Sequence, residues 1–172
     1  MIVFIFPLIA KPIAEDPRLM AALNWSCREF RELSLHELYS LLQLRTDVFV
    51  IEQNCVYQDM DDNDQVAMHV IGARDGELLC YARILPPSIK YKTPSIGRVI
   101  THQTLRQNGY GKQLMGKALD YCRQYWPTEP ITISAQQRLQ KFYSELGFVT
   151  ESGPYLEDGI PHIQMRYESL PS

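Results

Sequence analysis

The sequence predicts an α/β domain (α+β by some schemes), a mixed central sheet of six to seven strands with helices on both faces. Three observations carry this. Two β-rich runs, Val66 to Arg74 and Glu77 to Leu85, are joined by Asp75-Gly76, a strong signal for a two-residue antiparallel hairpin. A β-branched run, Ile96 to Thr101, leads through Arg106-Gln107-Asn108-Gly109-Tyr110-Gly111-Lys112 into an amphipathic run, Gly111 to Tyr125. A strand, a glycine loop and a helix in that order imply a parallel crossover to the next strand. Finally, 172 residues with 45% hydrophobic and 22% charged content suit one ordinary globular domain with a substantial core.

Taken in order, residues 1–24 read as an N-terminal extension and 25–172 as the domain. Met1 to Ala10 is apolar but too short to span a bilayer, is interrupted by Pro7, and lacks the positive flank of a secretory signal. Trp25 to Leu33 alternates loosely, as a first strand would. Ser34 and Glu37 form a capping box that starts a helix with Leu35, Leu38, Leu41, Leu42 and Val48 on one stripe, running to Glu52 with a break near Arg45. A polar loop, Gln53 to Gln65, precedes the hairpin. Pro86-Pro87 ends the hairpin's second strand, and Ser95 to His102 is a third member of the sheet.

Beyond the glycine loop, Leu114, Ala118, Tyr121, Cys122 and Tyr125 recur at helical spacing. Ile131 to Ile133 is a short buried strand. Gln136 to Leu146 is a helix with Leu139, Phe142, Tyr143 and Leu146 on one face, closed by Gly147. Phe148-Val149 begins a strand, and Asp158-Gly159 leads to the last one, His162 to Tyr167.

Composition excludes some functions. A net charge of −3 and a pI near 5.8 argue against nucleic-acid binding by bulk charge. Four cysteines without a CxxC pair read as reduced thiols of a cytoplasmic protein. The acidic run Asp59 to Asp64 fails the calcium-loop test, with no glycine at the sixth position and Val70 at the twelfth, so no metal site is expected.

The glycine loop is the functional focus. Amides at a helix start lack partners and sit at the positive end of the helix dipole, so they suit a phosphate-bearing ligand. Two nucleotide loops fail on spacing. A Walker A loop needs glycine where Arg106 stands and Ser or Thr where Gln113 stands; a dinucleotide fingerprint needs glycine where Leu114 stands.

What fits is Arg106-x-x-Gly109-x-Gly111, which resembles motif A of the GCN5-related N-acetyltransferase (GNAT) superfamily. Phe142-Tyr143-Ser144-Glu145-Leu146-Gly147-Phe148 resembles that family's Phe-Tyr-x-x-x-Gly-Phe signature, one strand and one helix later. Further stretches resemble its ElaA-type branch: Val48 to Cys55, Tyr57 to Asp61, Tyr81 to Leu85, Ile96 to Val99 and Glu157 to Ile163. The resemblance covers Trp25 to Tyr167.

It implies a GNAT fold and transfer of acetyl from acetyl-coenzyme A (acetyl-CoA) to a primary amine of a small molecule or peptide, by direct attack in a ternary complex. It involves no nucleic acid or membrane, and the family often forms homodimers. The implied donor site is Arg106, Gln107, Asn108, Gly109, Tyr110, Gly111 and Lys112 at the pyrophosphate, with Val99, Ile100 and Thr101 along the pantetheine arm. Gln136 stands where many members carry Asn. Tyr143 resembles the general acid, with a core aromatic as the plainer alternative. His162, His69 and Glu52 are the candidate bases, and Arg45, Arg83 and Arg98 the candidate ligands for an acidic acceptor group. For the arginines a structural ion pair with Asp59 or Asp61 is an equal alternative. A non-catalytic acyl-CoA-binding module, or a transferase for another acyl group or acceptor, is the competing reading.

Overall fold

The computed structural model describes residues 22–169. The expectation of an N-terminal extension falls almost entirely outside that range. Among the described residues eight strands form one mixed sheet: β1 (Asn24–Glu29), β2 (Met68–Arg74), β3 (Glu77–Leu85), β4 (Ser95–Thr101), β5 (Ile131–Gln136), β6 (Val149–Thr150), β7 (Tyr155–Glu157) and β8 (Ile160–Tyr167). The path runs β1-β2-β3-β4-β5-β8-β6, with β7 also pairing to β8. Among the described strands only β4 and β5 are parallel neighbours. The strand not anticipated is β7, whose three residues are too few to show a period.

Three α-helices among the described residues cover the sheet: α1 (Leu35–Arg45), α2 (Tyr110–Tyr125) and α3 (Gln140–Ser144). Alternation along the strands sends side chains to two cores. Val70, Ala82 and Ile84 pack with Leu114, Met115, Ala118, Cys122, Tyr143 and Phe148 beneath α2 and α3. Ile71, Tyr81 and Ile100 pack with Leu41 and Leu44 beneath α1. The expected mixed sheet with helices on both faces is what the chain forms.

Local signals explain most boundaries. Ser34 Oγ accepts the Glu37 amide at 3.2 Å while the Glu37 carboxylate accepts the Ser34 amide at 3.0 Å, so the capping box starts α1. The helix does change character after Arg45: Thr46–Glu52 continues as a π-helix. The stripe differs from expectation at its start, because Leu35 lies in the first turn, 88% exposed, while Leu44 is buried. At the hairpin, Asp75 (φ +50) and Gly76 (φ +83) both take left-handed backbone, which matches the twist of the strands they join. The expected helix from Gln136 is shorter. Gln136 completes β5, a 3₁₀ turn follows, and α3 begins at Gln140.

Candidate active site

β4 and β5 share a single paired position, Ser95 with Thr132, and then part. The gap opens into a cleft of about 760 Å³, lined by Gly97 to Thr101, Ile133, Ser134, Gln136, the glycine loop and Tyr143. At one end lies the N-terminus of α2. Gln107 (φ +66) and Gly109 (φ +80) take left-handed backbone there. Among the described residues, none of the amides of Gln107, Asn108, Gly109, Tyr110 and Gly111 has a backbone acceptor outside regular elements, and helical pairing back to Gly109 starts with Lys112 and Gln113. A Cβ on Gly109 would meet no protein atom within 4 Å, so the approach to these amides is open. Unpaired amides, an open approach and a helix dipole fit a phosphate group.

The loop's cations are committed elsewhere. Arg106 holds Glu52 with two bonds, Nη1 to Oε1 at 2.6 Å and Nη2 to Oε2 at 2.8 Å, and its Nε donates to the Thr101 carbonyl at 3.0 Å. Lys112 pairs with Glu145 at 2.9 Å. The backbone is therefore what the loop offers an anion. Gly111 adjoins the second sequence motif: a Cβ there would lie 3.5 Å from the Phe142 ring.

Tyr143 lies on α3 at 6% exposure, with its ring edge-on to Phe142 and Phe148. It packs in the core beneath α2 and α3 and also lines the cleft. Burial pushes its phenol up to about 12, so the hydroxyl keeps its proton at neutral pH.

The candidate bases separate. His69 is fully buried and does not line the cleft. Its Nε2–H donates to the Asp64 carbonyl at 3.0 Å, which fixes the tautomer, and Nδ1 accepts from the Tyr81 hydroxyl at 2.9 Å. Burial lowers its proton affinity. His69 as a catalytic base is thus corrected to a satisfied core histidine. Glu52 lines the cleft, but the Arg106 hydrogen bond holds its carboxyl below the usual range and makes it a poor base. His162 also lines the cleft, half-buried. Its Nδ1–H donates to the Ile160 carbonyl at 2.8 Å, which leaves Nε2 as the acceptor of the neutral ring.

The candidate substrate arginines form a buried network instead. Arg45 is fully buried, bonded to Asp59 at 2.6 Å and Asp64 at 2.7 Å, and does not reach the cleft. Arg83 bonds Asp61 at 2.6 Å and Asp64 at 2.9 Å, and Arg98 bonds Asp59 at 2.5 Å. Both line the cleft, but their charge is already met. The ion-pair alternative is the correct one for Arg45. Burial alone would raise the Asp59 carboxyl; the Arg45 hydrogen bond and charge, with Arg98, outweigh it and lower it.

Sequence reasoning missed several lining groups. Glu157, on the short β7, accepts from Ser134 Oγ at 2.5 Å and Lys90 Nζ at 2.9 Å. Gln53 accepts from Gln136 at 2.9 Å, which ties the segment after the π-helix to β5. Phe49, Cys55 and Tyr57 face the same space. All three fall in stretches that carry the family resemblance, so a signal was present, though without a role attached.

The family model for the acetyltransferase (GNAT) domain matches residues 36–169. The chain belongs to this family. GNAT membership makes it an acyltransferase. It is 45% identical over 150 residues to the protein ElaA of Escherichia coli K12, covering 86% of this chain and 98% of that one. The crystal structure of E. coli ElaA superposes with a TM-score of 0.80 at 44% identity, over 85% of this chain and 99% of that one. An acyl-CoA N-acyltransferase from Pseudomonas aeruginosa superposes at 0.81 and 46% identity, with the same coverage. No helix among the described residues is long and apolar enough to cross a membrane.

Proposed function

We propose that this acyltransferase uses acetyl-CoA and moves the acetyl group to a primary amine of a small molecule or peptide, by direct attack in a ternary complex. The observation that carries the reading is the cleft between β4 and β5, which runs from the unpaired α2 amides to Tyr143. The amides of Gln107 to Gly111 would hold the pyrophosphate. The backbone of Val99, Ile100 and Thr101 would bond the pantetheine arm as a missing strand does. Gln136, tied to Gln53, borders the same space.

The thioester supplies an activated carbonyl, at which the acceptor nitrogen forms a C–N bond as the C–S bond breaks. His162, through Nε2, takes the proton the amine sheds. Tyr143 gives its phenolic proton to the departing sulfur and regains one from solvent. The catalytic domain spans residues 25–172 in this reading. The four unpaired cysteines agree with a cytoplasmic setting.

Coenzyme A release with a panel of primary amines tests the proposal. Turnover with at least one amine is expected, and Tyr143→Phe should cut kcat about 100-fold while leaving donor KM nearly unchanged. Undiminished turnover in Tyr143→Phe would remove the acid assignment. Thermal stabilisation by acetyl-CoA with no turnover on any acceptor would instead favour a binding module.

A further inference from the structure

Arg98 combines two features that its identity does not require. Among the described residues it is the only non-glycine with left-handed backbone (φ +49) inside a strand. It also sits at a bulge. Tyr81 pairs with Ile100 but Arg83 pairs with Gly97, so Ala82 alone faces both Arg98 and Val99. L residues avoid this conformation, and it persists only where the surroundings over-determine it.

The surroundings do so here. Arg98 Nε donates to Asp59 Oδ1 at 2.5 Å, and Nη2 reaches the Asp59 carbonyl at 3.2 Å and Asp61 Oδ2 at 3.4 Å. The guanidinium lies 5.9 Å from the ring centres of both Phe49 and Tyr57. Asp59 is itself fixed, 2% exposed, by Arg45 and by the Tyr57 hydroxyl at 2.9 Å. The side chain is held by elements outside the sheet, and its Cα with it.

The place matters as much as the hold. β4 leaves β5 just after Ser95, and the bulge follows three residues later, at the wall of the cleft. A bulge bends its strand and stores one extra residue. Removing it would shift Val99 to Thr101 by one and turn Ile100 out of the core beneath α1. We propose that Arg98 is a positioning residue: its ion pair with Asp59 clamps the bulge that turns β4 away from β5, and so holds open the cleft for the acyl donor. The inference rests on the donor reading above. It gives the Asp59–Asp61 loop a task, namely to lock one backbone conformation rather than to bind substrate.

The test compares Arg98→Gly with Arg98→Ala. Both lose the guanidinium, so they share the cost of leaving Asp59 with fewer partners, and only glycine takes positive φ freely. Two readouts are measured: hydrogen exchange of the β4 amides and the Kd for coenzyme A. In Arg98→Ala exchange should quicken and Kd should rise, each about tenfold, and Arg98→Gly should recover most of both. Asp59→Asn, which retains Arg98 and nearly the same volume, should follow Arg98→Ala. Equal defects in the alanine and glycine variants, or wild-type β4 exchange in Asp59→Asn, would overturn the clamp. So would a defect confined to acceptors that carry a carboxylate, which would make Arg98 a substrate ligand. Exchange needs no ligand, so a wild-type protein that bound no coenzyme A would overturn the donor reading and leave the clamp to be judged on β4.

Discussion

The glycine loop at the start of α2 and the acidic loop from Asp59 to Asp64 border the same fold in opposite ways. The first offers backbone. Its amides lack backbone acceptors where the loop lines the cleft, and its charged side chains are taken up by Glu52 and Glu145. The second works through side chains. Asp59, Asp61 and Asp64 hold Arg45, Arg83 and Arg98, residues drawn from α1, β3 and β4. One region leaves its amides unpaired, whereas the other is closed on itself. An anion site made of amides has no counter-charge to remove before a ligand binds. A buried arginine already paired with aspartate is costly to redirect.

The contrast can be broken from either side. The largest effect is expected at Arg45→Ala, which leaves Asp59 and Asp64 short of a buried partner and should cost about 3–5 kcal/mol in denaturant unfolding. A loss below 1 kcal/mol would show that the network is not structural. The same network predicts acid sensitivity. The Asp59 and Asp61 carboxyls are held below their unfolded value, near 3.9. Their contribution is therefore complete above about pH 4 and lost as pH falls through the lower folded values. Melting temperature should drop more steeply below pH 4 in the wild type than in Asp59→Asn.

On the loop side the effect should fall on binding. Gly109→Ala places a Cβ at a left-handed position beside the free amides, so coenzyme A affinity should weaken about tenfold while stability falls by only about 1–2 kcal/mol. Unchanged affinity would move the anion site elsewhere. The smallest change is expected for Glu52→Gln. The Glu52–Arg106 pair is partly exposed on both sides, so its loss should cost under about 1 kcal/mol by thermal melt.

The same contrast explains what was legible. The hairpin, the capping box and the glycine loop are contiguous, and each rests on backbone rules that act over a few residues. The two strand histidines, by contrast, look alike in sequence. His69 faces Tyr81 and the Asp64 carbonyl inside the sheet, and His162 faces the cleft, because their strands lie at different places in the sheet. The arginines invited a substrate role because their partners lie 14 to 39 residues away. Leu35 and Leu44, nine residues apart, lie on opposite sides of α1, and the side that carries Leu41 and Leu44 is the one buried against the sheet.

The sequence by itself determined the strand order around the glycine loop, the loop's open amides and the membership that names the chemistry. Local backbone preferences and short motifs suffice for those. The tertiary structure decided which titratable groups face the cleft, which carboxylates are already spent on arginines, and where β4 parts from β5. Those depend on distances between residues far apart in the chain, and such distances exist only once the sheet has formed.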